Sequence, residues 1–478
     1  MGPAQCRDAR AARRAVHLRA RRLRLRSDPL VVQDPLREPP RAQARHRRDG
    51  GLIVDLWLYI LLFVVFLLLR VPVAFAMIAS SMLYFYSQGL SAGYAISSIV
   101  NGINSFPLLA VPLFIFVGTV ANNLGIATRL YDLARALLPR LPGNLAYVNL
   151  GTAIGFSWIS GSALADAAST SKVQIPQMLK AGYPYGFSAG LTASGSLMST
   201  VMPPSIPAVL FAATASISTG ALFAGSIIPA MLMAVGLAAY IFFWVRRHPD
   251  VAVGRPFDGG MLGKAAVRVI GPALLPVIIL GGIFSGLFTA TESAGIAAVY
   301  MLLLGVIYRT LTWRVFWKSA KETVVISGGI LLILGASNLM GQVLAREQVS
   351  RALGEWLTGL TDNPIVFLLM LNVLLILLGI PLEAPPVILV LVPILMPIAT
   401  QFGIDPVQLG VLMILNLMIG SLTPPVGAVL FVVGSITRRP MGELFRGILP
   451  FLIPLGAVLL LLTLFPVIVT FLPTLLGL

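Results

Sequence analysis

The sequence predicts an all-α polytopic membrane protein made of two inverted-topology repeats, each with a re-entrant helical hairpin and a Pro-Pro broken helix. Three observations predict it. Of 478 residues, 57% are hydrophobic and 11% charged, with a mean hydropathy of +0.91; a soluble domain carries roughly 25% charged residues. Runs of about 18 or more apolar residues, each long enough to span a bilayer, follow one another through the body. Two of these runs are broken midway by Pro-Pro, at Met202-Pro203-Pro204-Ser205-Ile206-Pro207 and at Thr423-Pro424-Pro425-Val426-Gly427, and both continue into Ala-Val-Leu-Phe. Period-2 alternation with regular turns, the mark of a membrane β-barrel, is absent.

Taken in order, spans or half-spans are expected at about 52–69, 73–90, 107–126, 145–160, 163–181, 186–217, 221–245, 269–290, 294–308, 323–341, 364–380, 386–400, 410–437 and 448–472. The interrupted segments 145–181 and 364–400 read as re-entrant hairpins. The expected organisation is an Arg-rich tail at 1–50, scaffold helices at 51–144, a first repeat at 145–245 and a cytoplasmic linker at 246–268. Second-half scaffold helices at 269–363 and a second repeat at 364–478 follow. Stretches 128–142 and 313–322 mix Arg or Lys with Leu, Trp and Phe and read as helices in the interface plane.

The net charge of +16 is unevenly placed, because residues 1–50 hold fourteen Arg against five acids. With the body N-out and C-out, eighteen of its twenty Lys/Arg fall inside and only Arg346 and Arg351 fall outside. That orientation puts the tail on the disfavoured face. The tail is therefore expected to be upstream sequence read as protein, with the native start near Leu52–Val54. The lone cysteine, Cys6, excludes a disulfide frame or a thiolate metal site in the body. No phosphate-binding loop is present, so no ATP hydrolysis is expected. No cofactor, no nucleic acid partner and no enzymatic activity is expected either.

The Pro-Pro motifs belong to longer copies. Pro229 follows Pro203, and Pro450 follows Pro424, by the same interval; Asp166 precedes Pro176, and Glu383 precedes Pro393, by the same interval. Each half thus reads as an acid, a hairpin, a broken helix and a closing helix. The hairpins enter from opposite faces, and such repeats share a midplane site for substrate and ion.

Proline removes a backbone donor and clashes with the preceding turn. Unwound backbone at membrane depth is tolerated only in protein or beside a wet cavity. Pro203, Pro204, Pro424 and Pro425 therefore mark candidate binding positions. Intramembrane acids are functional candidates by default. Asp166 follows the small-residue break Ser160-Gly161-Ser162, and Glu383 sits at the other hairpin tip. Asp55 lies near the start of the first span, and Glu292 reads as a helix-terminal residue between two spans. No Lys or Arg lies near the tips, so an anion would be held by half-helix N–H groups. Ser160, Ser162, Ser205 and Thr423 add hydroxyls. Unwound carbonyls near Ser162 and Thr423, with Asn416, suit a hard cation, most simply Na⁺. An embedded hydrolase using Asp166 and Glu383 is disfavoured, since neither an activating base nor metal ligands accompany them.

These residues resemble the large membrane subunit of tripartite ATP-independent periplasmic (TRAP) transporters. The likeness runs through Ser160–Gly182, Val201–Phe211, Phe288–Tyr300 and Leu415–Phe431, and covers about 52–478. The resemblance implies Na⁺-coupled uptake of an organic acid, such as a C4-dicarboxylate or sialic acid, across a bacterial inner membrane. It also implies two partners, a small four-helix membrane subunit and a periplasmic substrate-binding protein, and an elevator motion of hairpins and broken helices. By position it carries over Ser160, Ser162 and Asp166 in the first tip, Ser205 in the first break, and Asn416, Gly420 and Thr423 in the second. The family's alanine run after the Asp is here Ala167-Ala168-Ser169-Thr170-Ser171, and the tail has no counterpart. The alternative is a stand-alone ion-coupled organic-acid carrier of similar repeat fold.

Overall fold

Among the residues described by the computed structural model, 52–249, 251 and 256–478, every regular element is a helix. The tail 1–50, expected to be upstream sequence with the native start near Leu52–Val54, and the side chain of Asp55 lie outside the described residues. Residues Leu56–Leu478 form one unit. Among the described residues, eight helices are long and apolar enough to cross a membrane, or nine if a pair bent by 119° is counted once.

The first scaffold group holds α1 (Leu52–Leu68), α2 (Val73–Ser87), α3 (Ala92–Ile103), a 3₁₀ turn at Phe106–Leu109, α4 (Ala110–Asn123) and α5 (Ile126–Leu137). The first repeat holds α6 (Asn144–Ser160), α7 (Ala163–Lys180), α8 (Tyr185–Ser196), the single turn α9 (Met198–Val201), α10 (Ile206–Ala215) and α11 (Thr219–Arg247). The second scaffold group holds α12 (Gly259–Phe284), α13 (Ala290–Ile307), α14 (Trp313–Arg346) and α15 (Val349–Leu360). The second repeat holds α16 (Pro364–Gly379), α17 (Ala384–Gln401), α18 (Pro406–Ser421), α19 (Ala428–Thr437), α20 (Met441–Leu464) and α21 (Val467–Leu476).

Both hairpins and both broken helices form where punctuation predicts them. Several other elements differ. Stretch 313–322 is not a separate interface helix: Thr312 caps it and it runs unbroken into α14. Its polar side chains face a partner, because Thr119 and Asn123 of α4 bond Thr323, Ser319 and Glu322. The 128–142 stretch is α5, packed between α6 and α12. α3 and α15 are further helices that hydropathy alone does not mark. Glu292 is helix-terminal as expected, closing a capping box with Thr289 at the start of α13.

The two repeats interlock by exchange. The first hairpin arm packs on the first half of its own broken helix in each repeat, α6 on α8 and α16 on α18. The second arm packs on the far half of the other repeat's broken helix, α7 on α19 and α17 on α10. Each closing helix also crosses over, α20 onto α8 and α11 onto α18. This reciprocal packing is the structural form of the sequence repeat. Small residues permit it: a Cβ on Gly447 of α20 would overlap the backbone of Gly186 at the start of α8, and such contacts let membrane helices approach closely. Scaffold helix α14 runs along α2, α3 and α4, while α13 packs on α4.

Candidate functional site

The first hairpin turns at Gly161, which closes α6 with φ 69°. Glycine adopts this left-handed conformation at little cost, which is why it is favoured at helix C-termini. A Cβ there would also stand 2.7 Å from the Pro204 carbonyl oxygen, so the tip is seated on the first break. Ser162 caps α7 by accepting from Ala165 N at 3.4 Å. Ser160 is buried, and its hydroxyl donates to the Ser162 carbonyl at 3.5 Å. From the scaffold, α4 comes within contact of the same tip at Gly118, where a Cβ would lie 2.6 Å from the Ser160 carbonyl oxygen.

Asp166 lies in the first turn of α7 and is buried. Ser199 of α9 donates its hydroxyl to one carboxyl oxygen, Oδ2, while Oδ1 has no hydrogen bond. Sequence reasoning missed Ser199, because only the fold brings α9 against α7. Thr170 and Gln174 continue the buried face that Asp166 begins.

The first break runs through Pro203 and Pro204, joined by a cis peptide, and is wholly buried. Ser205 has two roles: it accepts from Ala208 N at 3.2 Å as the cap of α10, and it donates to the Thr200 carbonyl. Both bonds repair backbone groups that the break frees.

The second tip seats on its own break in the same manner, since Gly427 N donates to the Ile380 carbonyl at 3.3 Å. Pro424 and Pro425 are also joined by a cis peptide, and Pro425 and Val426 are exposed. Thr423 donates its hydroxyl to the Ile419 carbonyl at 2.8 Å. Gly420 lies where α18 crosses α16: a Cβ on it would fall 2.6 Å from the Ile376 carbonyl oxygen. Asn416 is fully buried and ties three helices. Its amide donates to Asn372 Oδ1 of α16 at 2.8 Å, and Asn372 donates to Thr463 Oγ1 of α20 at 2.8 Å.

Glu383 is an exposed residue that forms the N-cap of α17 without a side-chain cap bond. Its place in the second hairpin is that of Ser162 in the first, the N-cap of the returning arm. The pairing of Glu383 with Asp166 does not hold, because α17 has two prolines, Pro393 and Pro397. The match of Pro176 is Pro397. In the same register the positions of Asp166, Thr170 and Gln174 are taken in the other repeat by Val387, Leu391 and Leu395. The buried acid belongs to one repeat only.

The four returning helices differ in the donors they leave free. Serines cap α7 and α10. α17 opens with Ala384-Pro385-Pro386, so two of its first N–H groups are missing. α19 opens with Ala428-Val429-Leu430 after Gly427, has all its N–H groups, and has no side-chain cap. α19 packs against α7. The uncapped start of α19 is therefore the most open donor set among these helices, and helix N-termini attract negative charge.

Residues 60–468 match the family described as tripartite ATP-independent periplasmic transporter, DctM component. The chain belongs to this family. The chain is 38% identical over 406 residues to the sialic acid TRAP transporter large permease protein SiaM of Vibrio cholerae, covering 84% of this chain and 95% of that one. It is 36% identical to the sialic acid TRAP transporter permease protein SiaT of Haemophilus influenzae, over 88% of this chain and 69% of that one. It is 36% identical to the C4-dicarboxylate TRAP transporter large permease protein DctM of Pseudomonas aeruginosa, over 78% and 87%. The fold is similar to the crystal structure of the Alcanivorax borkumensis YdaH transporter, with a TM-score of 0.56 at 15% identity, covering 79% of this chain and 90% of that one. This permease is thus a polytopic TRAP transporter large subunit.

Proposed function

We propose that this permease imports a small organic anion, a sialic acid or a C4-dicarboxylate, by Na⁺ symport across a bacterial inner membrane. It works with a small four-helix membrane subunit and with a periplasmic protein that captures the substrate. The body sits N-out and C-out, as its basic residues favour. The substrate carboxylate is held between the starts of α19 and α7 by backbone N–H groups. Na⁺ is held by carbonyls of the unwound backbone near Ser162 and Thr423. Hairpins and broken helices move together against the α2–α4 and α13–α14 scaffold.

One observation carries this reading: the reciprocal packing of α7 on α19 and α17 on α10. Two hairpins so interlocked shift as one body more readily than they separate. Relatives whose names specify sialic acid or C4-dicarboxylate support the substrate class. The test is uptake of radiolabelled sialic acid and succinate in proteoliposomes holding this chain with both partners. Uptake is expected only with an inward Na⁺ gradient and only with the binding protein. Equal uptake without the gradient removes symport, and uptake without the binding protein favours a stand-alone carrier.

A further inference from the structure

Helix α17 contains Pro393 and Pro397. Proline has no N–H, so the carbonyls four residues earlier, of Leu389 and Pro393, lose their in-helix donors. A buried carbonyl left unpaired is costly. Both find donors on the scaffold side. Ser337 of α14 donates its hydroxyl to the Leu389 carbonyl, and both residues are buried. Ser350 of α15 donates to the Pro393 carbonyl at 3.4 Å, a longer and more exposed contact.

Beside this clasp lies a cavity of about 390 Å³, bounded by Ser337, Leu389 and Pro393 and lined further by Asn101, Thr214, Asn338 and Gln342. Its volume and polar walls suit water. A Leu389 carbonyl released from Ser337 therefore has water and polar side chains within reach. The bond can be exchanged at modest cost.

We propose that Ser337 is the positioning residue that docks the second hairpin on the scaffold, closing the hydrogen bond that Pro393 opens. The bond is made in one position of the hairpin and released in the other. Ser337 thereby sets the balance between two positions of the transport machinery. This rests on the hairpin being the moving element.

The experiment uses the full-length chain in proteoliposomes, with Cys6→Ala and Gly341→Cys. Gly341 lines the cavity, and a Cβ there meets nothing within 4 Å. Labelling by a membrane-impermeant maleimide is timed in NaCl and in choline chloride. The parent is expected to label at different rates in the two salts. Ser337→Ala is expected to change the ratio of those rates by about fivefold, the size expected for the net loss of one hydrogen bond. Ser337→Thr keeps the hydroxyl and leaves the ratio within about twofold. Pro393→Ala restores the in-helix donor, so Ser337→Ala in that background shifts the ratio by less than about twofold. A parent that labels equally in both salts overturns the clasp together with its premise of a moving hairpin. A parent that responds to Na⁺, with Ser337→Ala either silent or equally strong in both proline backgrounds, overturns the clasp alone.

Discussion

Replacing Gly161 with alanine tests whether the first tip is seated on the first break. Gly161 has φ 69°, and its Cβ would stand 2.7 Å from the Pro204 carbonyl oxygen. The left-handed backbone costs an L-residue roughly 1–2 kcal/mol. The overlap adds a second cost, because the obstacle is backbone that cannot rotate away. Forcing a well-packed site apart costs about 1–3 kcal/mol. The two together come to roughly 2–5 kcal/mol. Two other glycines separate these contributions. Gly182 has φ 87° and nothing within 4 Å of a Cβ, so Gly182→Ala bears only the backbone cost. Gly281 lies inside α12 with open space around it, and alanine there gains about 0.5–1 kcal/mol of helix stability. Thermal unfolding of purified protein should rank Gly281→Ala at or above the parent, Gly182→Ala below it and Gly161→Ala lowest. Uptake should fall about tenfold or more only in Gly161→Ala. If Gly161→Ala matches Gly182→Ala in both assays, the tip does not depend on its seat against Pro204.

Other consequences follow from the buried polar contacts. Ser199→Ala leaves buried Asp166 without its hydroxyl donor and should cost about 1–3 kcal/mol, read as a lower unfolding midpoint with reduced uptake; a variant equal to the parent in both would show that Ser199 does not serve Asp166. Asn416→Leu alone should destabilise by a similar amount, roughly 1–3 kcal/mol, because Asn372 loses its donor. The double variant Asn372→Leu with Asn416→Leu should recover most of that loss, since removing both partners is nearly neutral. Additive losses in that cycle, measured by thermal unfolding, would contradict the three-helix tie.

Much of this architecture is legible from residue order. The hairpins at 145–181 and 364–400 appear because Gly161 and the Pro381–Pro386 cluster punctuate otherwise apolar runs. The broken helices appear because two consecutive prolines cannot sit in the interior of a helix. Other elements depend on what they pack against. α3 is a Gly- and Ser-containing helix whose hydropathy does not mark a span, and α15 is short and amphipathic. The start of α14 reads as an interface helix because Lys318 and Glu322 look solvent-bound, yet Asn123 of α4 bonds both. Counting from acid to proline paired Glu383 with Asp166, because a one-dimensional count cannot tell which of Pro393 and Pro397 matches Pro176. Ser199, Asn372 and Ser337 are ordinary residues in sequence. Their partners lie on other helices, so only the folded chain identifies them. Ser205 and Thr423, singled out as site candidates, spend their hydrogen bonds on freed backbone, which leaves the backbone N–H groups of α19 as the more open donors.

The most direct test of the account removes one of those donors. Ala428→Pro deletes the first N–H of α19 while keeping a backbone angle that suits a helix start. Thr219→Pro makes the same change at the start of α11, away from the hairpin tips, and serves as the control. The measurement is the half-saturating substrate concentration for Na⁺-driven uptake of sialic acid and of succinate. A hydrogen bond to a charged group contributes about 1.5–3 kcal/mol, so Ala428→Pro should raise that concentration by roughly tenfold or more. Thr219→Pro should leave it unchanged. If Ala428→Pro transports with the parent's half-saturating concentration for both acids, the anion is not held by the start of α19.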